Sequence, residues 1–463
     1  MSVRKAGVIA LGLVAGLSLA ACGGGSSATE STTAASAVKS SAAAGASSAA
    51  ATAAGSPSAA AAVAGEITVL TNRTDLVKDG TFDGYAKEFQ AKYPDVKVKF
   101  EAITDYEGEV KIRMNTDQYG DVLLIPNSIS PADYPNFFSP LGDAASLSSQ
   151  YRWLPSSTVD GQVYGIAQNG NAVGYVYNKA VWEAAGITEA PTTPEQFLAD
   201  LKAIKEKTGA VPLYTNYKDG WPLTKWTDVL ATASCDPAAK NNLATDPAPW
   251  SAGKDLFVAD SLLFDAVSNG LTEKDPTTTN WENSKTLIGG GEVGAMWRGS
   301  WAVTQMQDAA VAAGKKAEDI GFRPFPTQVD GSFCSWAGPD YLQAVNKNSQ
   351  NQDAAKAWID WFTNDSGFAT AQGSIPTPIA GALPETLKEF SDLGVKLVEF
   401  APAPADQIGL VDAIDKQAEI GLYSPEYRQK LVDIARGAAS GTFKDYMAEL
   451  NQKWSDAQAI AGS

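Results

Sequence analysis

From residue 66 onward the apolar positions change period in an ordered way. Glu66-Ile-Thr-Val-Leu-Thr71 concentrates its apolar residues in a short run that breaks at Asn72-Arg73-Thr74-Asp75, which predicts a strand with a polar loop at its carboxyl end. Phe82, Tyr85, Ala86 and Phe89 then recur at helical spacing until Pro94 stops the helix. In Val96-Lys-Val-Lys-Phe100 apolar and charged residues alternate, as they do in a strand with one covered face. Past the loop Thr104-Asp105-Tyr106, a second helical stretch runs through Val110, Ile112 and Met114. Asp121-Val-Leu-Leu-Ile-Pro126 follows as a central strand buried on both faces. Strand, helix, strand, helix, strand calls for right-handed crossovers and a mostly parallel sheet.

A second set of elements starts at Val173-Gly-Tyr-Val-Tyr177 and leads into a helix over 181–185. Thr193-Pro194-Glu195-Gln196 is a helix start, with Thr193 as N-cap, Pro194 at the first helical position, Gln196 placed to close a capping box, and Gly209 as the stop. Strands are predicted at 211–214, 293–297 and 341–345, and helices at 354–362, 425–439 and 443–459. Trp182, Trp358 and Trp361 sit at helical spacing among apolar neighbours and are assigned to the core. No internal repeat is present. The fold class is α/β, with two lobes, each a mostly parallel sheet flanked by helices.

The first 65 residues follow neither period. Arg4 and Lys5 precede an apolar run ending in Leu19-Ala20-Ala21-Cys22, so residues 1–21 read as a secretory signal peptide. The run is too short for a comfortable membrane span, which takes about 20 residues. Its ending resembles the bacterial lipobox, which would leave Cys22 at the mature N-terminus, acylated and anchoring the chain to the outer face of the cell membrane. Residues 22–65 are almost entirely Ala, Ser, Gly and Thr, a composition with nothing to bury, and are expected to form a disordered tether.

Net charge narrows the partners. At −17, nucleic acid and anionic headgroups are excluded, leaving the lipid anchor as the only expected membrane contact. The chain has no histidine, which removes the usual general base and His-containing metal sites, and no catalytic residue, metal or cofactor is assigned. With Cys22 acylated, Cys235 and Cys334 remain in an oxidising compartment, either as a disulfide or as two buried thiols. A surface-anchored glycoside hydrolase is the rival class, since Asp105, Glu107 and Glu109 cluster near the loop. Such acids interleaved with Lys111 and Arg113 ordinarily form a solvated helix face, however, and no nucleophile-elbow, zincin or P-loop motif occurs.

Several stretches together resemble the family 1 extracellular solute-binding proteins, the maltose-binding-protein-like sugar receptors of bacterial ABC importers. They are Phe82-Asp-Gly-Tyr-Ala-Lys-Glu-Phe-Gln-Ala-Lys-Tyr-Pro94, Gly120-Asp-Val-Leu123, Tyr164-Gly-Ile-Ala167 with Tyr175-Val-Tyr-Asn178, and Gly291-Glu-Val-Gly-Ala-Met296 with Gly299-Ser-Trp301. The resemblance implies the type II periplasmic-binding-protein fold, with ligand in a cleft between lobes. Residues 66–170 plus 337–375 would form the first lobe, and 171–336 plus 376–463 the second. It also implies a monomer that delivers a sugar or oligosaccharide to a membrane permease. At Gln168-Asn-Gly-Asn171 the chain departs from the family, with amides in place of the more usual apolar or acidic hinge residues.

A sugar offers hydroxyl edges and apolar C–H faces, so its site needs aromatic platforms beside planar polar groups. Carried over from the family, Trp301 and Trp221 are the expected platforms, Asn72, Arg73 and Asp75 the first-strand loop, and Asn127 the end of the third strand. By neighbourhood, Tyr106, Asn169, Asn171, Trp297, Arg298, Trp336 and Asp340 join them. Peptides, polyols and polyamines remain alternative ligands, although the 12 tryptophans favour carbohydrate.

Overall fold

The computed structural model describes residues 63–104 and 106–461. The leader, Cys22, the tether as far as residue 62, and Asp105 lie outside the described residues.

The first sheet contains Gly65–Thr71 between Val96–Ala102 and the middle strand Val122–Leu124. Gly65–Thr71 pairs in parallel with Val96–Ala102 along its whole length, from Gly65 opposite Val96 to Thr71 opposite Ala102, and with Val122–Leu124 at Val69. The helix Thr81–Lys92 covers it because Phe82, Ala86 and Phe89 fall on one stripe. Phe82 lies 4.9 Å from Phe100, and Phe89 lies 5.2 Å from Trp358 on the helix Gln352–Asn364. Trp358 and Trp361 are buried there, as expected. The helix Tyr106–Arg113 corrects one expectation, since it buries Tyr106 and Val110 but leaves Ile112 70% exposed. Positions i and i+2 of a helix are about 200° apart, so Val110 and Ile112 cannot share a face.

The second sheet contains Gly170–Asn178, Val211–Leu213, Val293–Gly299, Ile320–Arg323, Cys334–Pro339 and Lys396–Val398. Every residue of Val293–Gly299 is buried. Trp182 is buried between Tyr175 and Phe197 and donates its indole N–H to the Gly294 carbonyl at 3.0 Å. Thr193 caps the helix Pro194–Lys207 by accepting from the Gln196 N–H. The Gln196 side chain reaches back to Thr192 rather than to Thr193, so the capping box is shifted by one residue.

Parallel pairing holds where it was expected, at Gly65–Thr71 and between Val211–Leu213 and Val293–Gly299, but both sheets are mixed. The segments 166–178 and 334–346 lie antiparallel side by side and pass through both sheets, with Ala167 opposite Leu342, Gly170 opposite Pro339 and Ala172 opposite Ala337. Chain that leaves one sheet for the other and later returns must run the opposite way. A disulfide joins Cys235 to Cys334, 99 residues apart, with Cα atoms 5.5 Å apart. It resolves the pairing that the sequence left open and ties a loop to the start of one crossing strand.

Candidate functional site

The crossing segments decide which loops face one another. On the first sheet, Asn72, Arg73 and Asp75 follow Gly65–Thr71, Asn127 follows Val122–Leu124, Asn169 follows Ile166–Ala167, and Asp340 precedes Leu342–Asn346. On the second, Val293–Gly299 runs directly into Ser300 and Trp301. Ser300 donates its N–H to the Ala172 carbonyl at 2.8 Å and its hydroxyl to Asn171 Oδ1 at 3.3 Å, so this end of the second sheet is stitched to the crossing. Ligands of open α/β sheets bind at such carboxyl ends.

The first-sheet side is polar. Arg73 directs Nε and Nη2 at the two oxygens of Asp75, at 2.9 and 2.6 Å, and Nη1 at Gln372 Oε1, at 2.6 Å. This fork holds the Asp75 carboxyl below its usual range. Asn127 donates its side-chain amide to Glu107 Oε1 at 2.9 Å, and the Tyr341 hydroxyl donates to the same oxygen at 2.8 Å. Asp340 reaches solvent while protein crowds its other sides. That crowding raises its carboxyl, and Arg73 and Lys225, one from each sheet's side, pull it back down. The Oδ1 atoms of Asn72 and Asn169 are buried without a hydrogen-bond partner, acceptor capacity at the crossing that the fold itself leaves unused.

The second-sheet side is aromatic. Trp221 lies 5.1 Å from Trp281 and 5.9 Å from Trp301, and Trp281 lies 5.5 Å from Trp301. Trp221 is 36% exposed, a high value for an indole. Against this trio sits the Arg298 guanidinium, 5.6 Å from the Trp221 ring centre and 5.3 Å from that of Trp281. Its Nη2 donates to Asn216 Oδ1 at 2.7 Å and its Nη1 to the Trp297 carbonyl. Burial pulls the Arg298 pKa down to about 9, with Glu273 and Asp219 acting in the opposite direction.

Three expected contact residues are corrected by burial. Arg298 is 1% exposed with its donors turned inward, so it lies beneath the platform rather than at its surface. Trp297 is 3% exposed, packs on Trp226 and Phe325, and gives its N–H to the Lys225 carbonyl at 2.7 Å. Tyr106 is buried in the first-sheet core, where its hydroxyl accepts from the Leu124 N–H at 2.7 Å. Trp336 is half-buried against Phe400, 5.4 Å away, and bends over Gly338, where a Cβ would come within 2.1 Å of the indole.

Sequence reasoning missed Trp281, Gln372, Tyr341 and Trp153. Trp281 follows the N-cap Asn280, and Asp219 accepts its backbone N–H, a local signal that was available. Trp153 has φ 63, packs where a Gly170 side chain would stand, and donates to the Ala337 carbonyl at 3.1 Å, wedging both crossing strands. Glu109, one of the acids of the rival hydrolase reading, is spent on Arg113 one helical turn away.

Residues 73–367 match the family model for "Bacterial extracellular solute-binding protein". The diacetylchitobiose-binding protein DasA of Streptomyces coelicolor is 28% identical over 320 residues, 63% of this chain and 68% of that protein. Among solved structures, BlMnBP1, a binding protein of an ABC transporter from Bifidobacterium animalis subsp. lactis in complex with mannobiose, is 36% identical. It superposes with TM-score 0.78 over 86% of this chain and 95% of its own. BlMnBP2 from the same organism, manno-oligosaccharide-specific and bound to mannotriose, is 34% identical with TM-score 0.78 over the same shares.

Proposed function

Since the chain belongs to the bacterial extracellular solute-binding proteins, we propose that it captures a short manno-oligosaccharide outside the cytoplasm and passes it to the permease of an ABC transporter. The observation that carries this reading is the exposed Trp221 in its tryptophan trio, on the side of the crossing opposite the polar loops. Indoles stack on the C–H faces of a sugar while planar polar groups take its hydroxyls. Trp221, Trp301 and Trp336 would stack, and Asn72, Arg73, Asp75, Asn127, Asn169, Asn171 and Asp340 would supply polar contacts.

The lobe limits, 66–170 with 337–375 and 171–336 with 376–463, belong to the same proposal. They are supported by the strands on either side of the crossing, which collect in separate sheets. A ligand that touches both lobes shifts the population towards the closed form, and the permease reads that form. Cys22 would carry the lipid anchor of a monomeric receptor.

The test is calorimetry and thermal shift on residues 63–463 with mannobiose and mannotriose, against diacetylchitobiose, peptides and polyamines. A ligand at a hundredfold over its Kd adds about 2.7 kcal/mol of stability. Saturable binding of a mannoside recovered chemically unchanged is the expected result. Binding only to a non-sugar, or consumption of the sugar, would overturn it.

A further inference from the structure

A guanidinium withdrawn from water ordinarily finds a carboxylate. Arg298 does not: among the described residues no acid forms an ion pair with it, and its Nε is buried without a partner. What it has instead is geometry. Asn216, held at φ 57, offers Oδ1 to Nη2 and passes its own amide to Ser284 Oγ at 3.2 Å, while the Trp297 carbonyl takes Nη1. Two donors fixed on one side set the plane of the fork. The faces of Trp221 and Trp281 then lie over it. Trp281 is also held at its backbone by Asp219, but among the described residues no hydrogen bond to the Trp221 indole nitrogen occurs. The orientation of that exposed ring rests on its aromatic neighbours and on the cation.

From this we propose that Arg298 is a positioning residue for sugar binding, its locked guanidinium fixing the planes of Trp221 and Trp281 so that Trp221 meets the ligand already oriented. The inference rests on the carbohydrate reading above. Attraction between a desolvated cation and an indole is strongest where water is excluded, and Arg298 is fully buried. A pre-oriented aromatic ring loses less freedom on binding than one that must be ordered by the ligand.

The experiment is a double-mutant cycle on mannotriose binding with Arg298→Met, Arg298→Lys and Trp221→Ala, together with near-ultraviolet circular dichroism of the unliganded proteins. Arg298→Met is expected to weaken binding about tenfold and to diminish the indole bands. Arg298→Lys, which keeps the charge and loses the fork, should fall between it and the parent. In the Trp221→Ala background, Arg298→Met should cost less than twofold more, because the residue acts through that ring. Additive losses, or an unchanged Kd, would overturn the proposal. If Arg298→Met fails to fold, the same cycle with Arg298→Lys decides the matter. If the parent protein binds no carbohydrate at all, the sugar reading fails separately. The dichroism then decides the positioning role, with unchanged indole bands counting against it and diminished bands for it.

Discussion

Two buried arginines in the second-sheet half of the molecule meet opposite fates. Arg428, on the helix Glu426–Ala435, gives Nε to Asp260 at 2.8 Å and Nη1 to Thr227 Oγ1 at 2.6 Å, and both charged side chains are 0% exposed. Asp260 sits on the helix Asp255–Ser268 and also accepts the Trp250 indole N–H at 3.0 Å. Burial raises the Asp260 carboxyl, and Arg428 opposes the rise. That pair is a strut between helices. Arg298 has aromatic faces where Arg428 has an acid, and those faces belong to the candidate site. An acid in an ion pair makes a buried cation internal scaffolding, whereas a cation that Glu273 and Asp219 reach only without an ion pair can orient the indoles packed on it.

The largest effect should come from breaking the strut. Asp260→Ala leaves Arg428 buried and unpaired, at a cost of about 3–5 kcal/mol, read by urea unfolding, while the sugar Kd of the folded fraction stays within about twofold. Arg298→Met breaks no ion pair, although Glu273 and Asp219 lose a nearby positive charge, and should invert that pattern, with binding affected more than stability. Removing the disulfide by Cys235→Ser with Cys334→Ser is a control that touches neither guanidinium. It should lower stability by about 2–4 kcal/mol, since the link closes a long loop, and it should be mimicked by reductant. Trp221→Ala should weaken mannoside binding by about 1–2 kcal/mol, roughly five- to thirtyfold by calorimetry, with little change in melting temperature because the ring is partly exposed.

The smallest effect concerns a third guanidinium that combines both arrangements. Arg323 lies 4.6 Å over Tyr177 and pairs with Glu389 at 3.1 Å. It also influences Asp200, whose carboxyl burial pushes up to about 6 against the pull of Arg323. An acid raised from about 3.9 in the unfolded chain binds more protons folded than unfolded, so its contribution to stability falls as pH rises from about 4 to 6. Asp200→Asn should therefore raise the melting temperature at pH 7.5 by about a degree or two and have no effect at pH 4. A rise of equal size at both values would show that the side chain acts by packing rather than by charge.

The same contrast explains what could be read in advance. The strand at Gly65–Thr71 and the helix start at Thr193 were legible because period and turn chemistry are local, whereas Trp221 and Trp301 were nominated from a family resemblance. Trp297 and Arg298 were misplaced for an identifiable reason. They were nominated because they sit near Trp301 in the chain, and nearness in the chain does not say which faces of a strand are covered. Val293–Gly299 is covered on both faces, so both are inside. Gln372 carried no signal towards Arg73, 299 residues away, and Tyr341 none towards Glu107, 234 residues away.

By itself, the sequence determined the two sets of α/β elements, the acidic and histidine-free character, and the polar loop that closes the first strand, since each depends on residues a few positions apart. Only the tertiary structure decided that Cys235 meets Cys334, that two segments cross side by side and turn both sheets mixed, and that Arg298 lies buried against Trp221 and Trp281. Those outcomes depend on which distant surfaces meet when the apolar faces are buried. Periodicity says which face of an element goes inside, but not what waits for it there.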